Sequence, residues 1–106
     1  MKTGYTYIMG STSGTLYIGV TSDIYIHTRQ HKNGTFKGFS KKHNCTRLLY
    51  YETHESIEES IAREKQLKGW RREKKLNLIG TQNPEFKDLA EQWGWKFITT
   101  HEKMHP

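Results

Sequence analysis

The first thirty residues alternate between apolar and polar positions with two different periods. From Tyr5 to Met9, aromatic and apolar side chains interleave with small polar ones, the pattern of a half-buried strand. Gly10-Ser11-Thr12-Ser13-Gly14 is turn chemistry throughout, and Thr15 to Val20 is again rich in β-branched and aromatic residues. The two runs predict a hairpin with a loop of roughly five residues. Thr21-Ser22-Asp23 then offers N-caps for a helix reaching about Lys32, stopped by Asn33-Gly34. On that helix Ile24 and Thr28 share one face, and Asp23, His27 and His31 share another at i, i+4, i+8.

Further on, Thr35 to Asn44 reads as a mobile, glycine- and lysine-rich loop, and Cys45 to Tyr51 as a third strand. The consecutive Leu48, Leu49, Tyr50 and Tyr51 predict a strand covered on both faces. Ser56 followed by Glu59 forms a capping box for the next helix. At about 100° per residue, Ile57, Ile61 and Glu64 fall on one stripe, with Leu67 at its flank. A carboxylate on an apolar stripe is costly unless a cation meets it, which here means either a metal ion or an arginine. Gly69 predicts a break, Trp70 to Ile79 another helix, and Gly80-Thr81-Gln82 a second break. Asn83-Pro84-Glu85 has the form of a helix start, with Phe86, Leu89, Ala90 and Trp93 spaced to pack on the domain and Gly94 as its stop. Residues 1–95 are thus expected to form one domain and residues 96–106 a disordered tail.

Composition adds a partner class to this outline. Lys and Arg number 17 against 11 acids, a formal charge of +6, so a polyanion is the first partner to consider. The cations are clustered. Between Asp23 and Glu52 there is no acidic residue, while Arg29, Lys32, Lys37, Lys41, Lys42 and Arg47 all lie there. A second cluster contains Arg63, Lys65, Lys68, Arg71, Arg72, Lys74 and Lys75. Cys45 is the one cysteine, which excludes an internal disulfide and a cysteine zinc set and fits a cytoplasmic location. No apolar run suits a signal peptide or a membrane span, and no obligate protein partner is evident. His27 and His31 at i, i+4 could begin a zinc site, but only Asp23 is nearby as a third ligand. Trp70, Trp93 and Trp95 read as core residues rather than as stacking platforms.

Phosphodiester hydrolysis needs an activated nucleophile, a Lewis acid and donors for the charge that grows on phosphate. The residues that could supply these occur in a recurring order. Tyr5-Thr6-Tyr7 is followed after nine residues by Tyr17-Ile18-Gly19, then by Gln30-His31-Lys32-Asn33-Gly34 and Ala62-Arg63-Glu64-Lys65-Gln66-Leu67. This pattern resembles the GIY-YIG nuclease superfamily, in particular its small stand-alone bacterial members, with Tyr-Thr-Tyr in place of Gly-Ile-Tyr.

The resemblance implies an α+β fold: a three-stranded antiparallel sheet flanked by helices, with the two tyrosine motifs side by side. It implies Tyr17 as general base or organiser of the attacking water, Tyr7 as its support, and Glu64 as the ligand of one Mg²⁺ or Mn²⁺. His31 matches a polar position after the first helix. Tyr5, Gly19 and Asn83 are supporting positions. Nucleic acid, DNA above all, would lie on Arg29, Lys32, Lys41, Lys42, Arg63, Lys65, Lys68, Arg71 and Arg72. One departure stands out. The superfamily places an arginine four residues before the His31 position, and this chain has His27 there. Arg29 points about 200° away around the helix. A histidine lacks the planar fork of arginine and loses its charge near pH 6.5. The expectation is a metal-dependent endonuclease or nicking enzyme weakened at His27, with a nucleic-acid-binding module of the same fold as the alternative.

Overall fold

The computed structural model describes residues 3–32 and 44–93, excluding the side chains of His31, Lys32 and Gln92. Lys41, Lys42, Trp95, the Asn33-Gly34 stop, the expected loop before Asn44, the Gly94 stop and the expected tail lie outside the described residues. Strands β1 (Gly4–Gly10) and β2 (Leu16–Thr21) form the expected hairpin, followed by α1 (Ile24–Lys32) and β3 (Arg47–His54). Helices α2 (Ile57–Lys68) and α3 (Arg72–Gln82) come next, and a 3-10 helix (Leu89–Trp93) ends the described chain. The sheet has the order β2-β1-β3 with both pairings antiparallel, so the first strand is central.

A strand's period of two splits β1 between the faces of the sheet, and each face has its own core. Tyr7 and Met9 pack with Ile24, Cys45, Leu48, Ala90 and Trp93 on the first face. Ile8 packs with Ile18, Leu49, Tyr50, Leu67 and Ile79 on the second. β3 serves both faces by means of a bulge: Ile8 pairs with Tyr50 and Met9 with Leu48, leaving Leu49 extra. The additional residue sends Leu49 and Tyr50, neighbours in sequence, to the same core.

Helix α2 starts at the predicted cap, where Ser56 Oγ accepts the Glu59 N–H at 3.2 Å. Its buried stripe differs from the predicted one. Ser60 and Leu67 are fully buried, whereas Ile61 is 38% exposed. The cause is a close approach to β1. Thr6 Oγ1 donates to the Ser60 carbonyl at 2.9 Å, and a Cβ on Gly4 would lie 2.3 Å from Ser60 Oγ. Small residues rather than isoleucines therefore set the helix rotation. Glu64 is one turn beyond Ser60 and one before Leu67, so it remains on the inward side.

Two further expectations are corrected by the structure. Helix α3 runs through Gly80 to Gln82 instead of breaking there. Its last turn is anchored because the Gln82 amide pairs with the Tyr51 backbone, donating at 2.9 Å and accepting at 3.1 Å. Nor does Asn83 begin a helix: it is the C-cap of α3. Asn83 Nδ2 donates to the Leu49 carbonyl at 3.0 Å and to the Lys87 carbonyl at 2.7 Å, and Oδ1 accepts the Lys87 N–H at 3.1 Å. Phe86, at φ 53°, turns the chain out of any helical path, and Asp88 Oδ1 then receives the Ala90 N–H at 3.0 Å. This segment crosses the outer edge of β3. Phe86 joins the second core, and Ala90 and Trp93 the first. Removing the buried Asn83 amide leaves the Leu49 carbonyl without its donor, so Asn83→Ala should cost about 1–3 kcal/mol. Urea denaturation should show a lower midpoint with an unchanged slope.

Candidate active site

Register brings the two tyrosine motifs together. Tyr7 lies opposite Gly19 and Met9 opposite Tyr17, which places both phenols on the first face of the sheet. Their ring centroids are 6.4 Å apart, with planes tilted by 42°. Tyr7 is buried, at 3% exposure, and its hydroxyl occupies the space above Gly19. A Cβ on residue 19 would be 2.4 Å from that oxygen and 2.6 Å from Cζ. Glycine is required here for close approach, not for an unusual backbone angle.

The two phenols differ in environment. Burial pushes the Tyr7 pKa far above the usual tyrosine value, and the neighbouring Tyr17 and Glu64 push it further in the same direction. Tyr7 therefore keeps its proton and can act as a donor. Tyr17, only half-buried, is the more accessible of the pair. Glu64 comes from α2 into the same electrostatic neighbourhood, since its charge is felt at Tyr7. It is 21% exposed and pairs with Lys68 Nζ at 3.2 Å, an i, i+4 contact not foreseen from the sequence. The donors here are oxygens: one carboxylate and two phenols. That set suits a hard divalent cation that keeps several waters, and such a cation would offset the negative charge that Glu64 imposes on Tyr7. Among the described residues no group of three or more His, Cys, Asp or Glu could hold a metal; the His31 side chain of the zinc reading lies outside them.

Helix α1 presents position 27 next to this face. Asp23 caps it, with Oδ1 accepting the Ile26 N–H at 3.1 Å, while Thr21 Oγ1 accepts the Asp23 N–H at 2.9 Å. Ile24 and Thr28, which share one helix face, are buried, and His27 is half-buried. Burial lowers the His27 pKa below the usual histidine value and outweighs the opposite pull of Asp23, so the imidazole is neutral at pH 7. His31 lies in α1, but its side chain is outside the described residues.

The other predicted residues divide by environment. Tyr5 is half-buried and meets Tyr51 edge-on at 6.4 Å, on the same face as Tyr7. Asn83 is a strut for β3, as described above. Arg63 is already engaged: Nε donates to both Glu52 oxygens at 3.0 Å, and a terminal nitrogen meets Oε2 at 3.0 Å. Tyr50 Oη also donates to Glu52, at 2.5 Å, and its pKa is pushed up to about 12 by burial and by Glu52. Burial raises Glu52, but the bonds from Arg63 and Tyr50 outweigh it and hold the carboxyl below its ordinary value. This network was missed in the sequence reading. Its one signal is the spacing of Tyr50, Glu52 and His54, which sends all three to one strand face. Arg29 is half-buried, whereas Lys65, Lys68, Arg71 and Arg72 are exposed. Trp70 is half-buried and packs against the second core, with the Arg63 guanidinium 5.2 Å and Lys74 Nζ 4.0 Å from its ring centre.

Comparison with known proteins bears on the family and the fold. The model of the GIY-YIG catalytic domain matches residues 3–77. The chain belongs to the GIY-YIG family. UPF0213 proteins of Staphylococcus aureus strains are 32% identical to it over 79 residues, spanning 74% of this chain and 96% of theirs. The solution NMR structure of a UPF0213 protein from Bacillus halodurans has a TM-score of 0.54 and 24% identity, covering 84% of this chain and 95% of that one. That likeness is one of fold, and it matches the α+β sheet described above. GIY-YIG membership makes this a nuclease-family domain, and none of the described helices is long and apolar enough to cross a membrane. Gly19→Ala should displace the Tyr7 phenol and destabilise the domain by about 1–3 kcal/mol, the usual range for overpacking. A shift of less than 0.5 kcal/mol in chemical denaturation would count against the close approach.

Proposed function

We propose that this GIY-YIG protein is a divalent-metal-dependent phosphodiesterase that nicks or cleaves nucleic acid, DNA above all. The observation that carries the reading is the pairing of a proton-retaining Tyr7 with an accessible Tyr17 on one face, within the field of Glu64. Tyr17 takes the part of general base, or of organiser of the attacking water. Tyr7 donates a hydrogen bond to Tyr17 or to the scissile phosphate. Glu64 would hold one Mg²⁺ or Mn²⁺, which supplies Lewis-acid stabilisation of the phosphate when bound. Lys68, beside Glu64, adds positive charge where the phosphate approaches. The formal charge of +6 supports a polyanionic substrate. Tyr17→Phe and Glu64→Ala should each reduce Mg²⁺- or Mn²⁺-dependent plasmid nicking to background, with folding unchanged by circular dichroism. Persistent nicking in both variants would refute the assigned site.

One observation favours a second reading, a nucleic-acid-binding module with little turnover. At position 27 burial keeps the imidazole uncharged at neutral pH. A rate that needs this charge rises as pH falls through a value below 6.5, because only the protonated ring can neutralise phosphate. His27→Arg supplies a permanent charge, so nicking at pH 7.5 should increase by about 10²-fold, the scale of one preorganised donor. DNA binding without cleavage in both wild type and His27→Arg would select the binding module.

A further inference from the structure

The second face of the sheet has a cation-lined cleft that the nuclease chemistry does not use. Ser13, Gly14, Thr15 and Leu16 form one wall, and Arg72 and Lys75 of α3 the other, around a volume of about 550 Å³. The loop wall is held in place from within. Ser11 N–H donates to the Thr15 carbonyl at 2.9 Å, Thr15 N–H to Ser11 Oγ at 3.0 Å, and Gly14 N–H to the Ser11 carbonyl at 3.1 Å. Gly14 has φ 95°, and its bare Cα makes room for Arg72, whose guanidinium would lie 3.0 Å from a Cβ there. Among the described residues neither Arg72 nor Lys75 is paired with a carboxylate, in contrast to Arg63 and Lys68. Lys75 is also half-buried. Two uncompensated cations and the hydroxyls of Ser13 and Thr15 suit a tetrahedral oxyanion.

We infer that this cleft grips one backbone phosphate of the nucleic acid cut at Tyr17, which extends the function proposed above and rests on it. The connection is geometric. β2 is an edge strand, and its neighbouring residues Leu16 and Tyr17 face opposite cores. Thr15 in the cleft is two residues from Tyr17, about 7 Å along a strand. A strand crossing the β2 edge therefore meets the cleft on one side and the phenols on the other. Arg72 and Lys75 are positioning residues that set which phosphodiester reaches Tyr17.

The test uses the full chain carrying Tyr17→Phe, so that binding is read without cleavage, with labelled DNA oligonucleotides followed by anisotropy from 50 to 300 mM NaCl. Arg72→Gln with Lys75→Gln should weaken binding at least 5-fold at 100 mM and flatten the log K against log salt slope by about 0.7–0.9, the value of one phosphate. Arg71→Gln with Lys74→Gln removes the same charge from the N-cap and first turn of α3, outside the cleft lining, and should cost less than half as much on a logarithmic scale. In ¹H–¹⁵N spectra, which also verify folding of each variant, DNA should shift the amides of residues 13–16. Equal losses in the two double variants, or unmoved amides, overturn the cleft. Shifts produced by inorganic phosphate but not by DNA also overturn it, in favour of a small-anion site. If Arg72→Gln with Lys75→Gln in the wild-type background binds and nicks like wild type, the cleft fails while the active-site reading stands. If wild type neither binds nor nicks DNA, both fail.

Discussion

The Tyr7 hydroxyl over Gly19 is the contact on which the site depends. It ties the register of the β1–β2 hairpin to the chemistry, because any other pairing would set a side chain against that phenol. It also separates two similar groups. Burial holds the proton on Tyr7, whereas Tyr17 is only half-buried. Two identical side chains thus come to differ chiefly through burial, with the neighbouring charge of Glu64 adding to the effect at Tyr7.

The remainder of the fold keeps that pair in place. A core on each face of the central strand leaves β1 little freedom to slide or twist. The Leu49 bulge lets β3 contribute to both cores, and Asn83 secures the bulge carbonyl. On the second face, small residues at Gly4, Thr6 and Ser60 let α2 approach closely, which brings Glu64 within electrostatic reach of Tyr7. A longer side chain at residue 4 or 60 would push that carboxylate away without touching it.

Much of this was legible in the residues. The alternation from Tyr5 to Met9 and Thr15 to Val20 outlines the hairpin, and the Ser56 cap marks the start of α2. The errors share a physical cause: long-range contacts that local pattern does not encode. Ile61 looks like core, but the packing of Ser60 against Thr6 rotates α2 away from it. Gly80 looks like a breaker, but Gln82 is paired with Tyr51, 31 residues away. Asn83 looks like an N-cap, but its amide is occupied by Leu49. Charge was read correctly as an inventory and incompletely as an arrangement. Among the described residues Arg63 and Lys68 are engaged by carboxylates, and Arg72 and Lys75 are not. The Tyr7–Tyr17 pairing was legible only through the order of motifs, because tyrosines in strands are common.

The two edges of the sheet differ in a way that affects how copies of the protein behave in solution. Along β3, backbone groups are met by the side chains of Gln82 and Asp88, so little remains there for another strand to pair with. Growth of the sheet by addition of a second copy would fall to β2, the edge strand that carries Tyr17. Arg72 and Lys75 lie against residues 13–16 at the start of that edge, so two copies meeting there would bring like charges together. The charges proposed to draw in a polyanion would thus also oppose the pairing of two such edges.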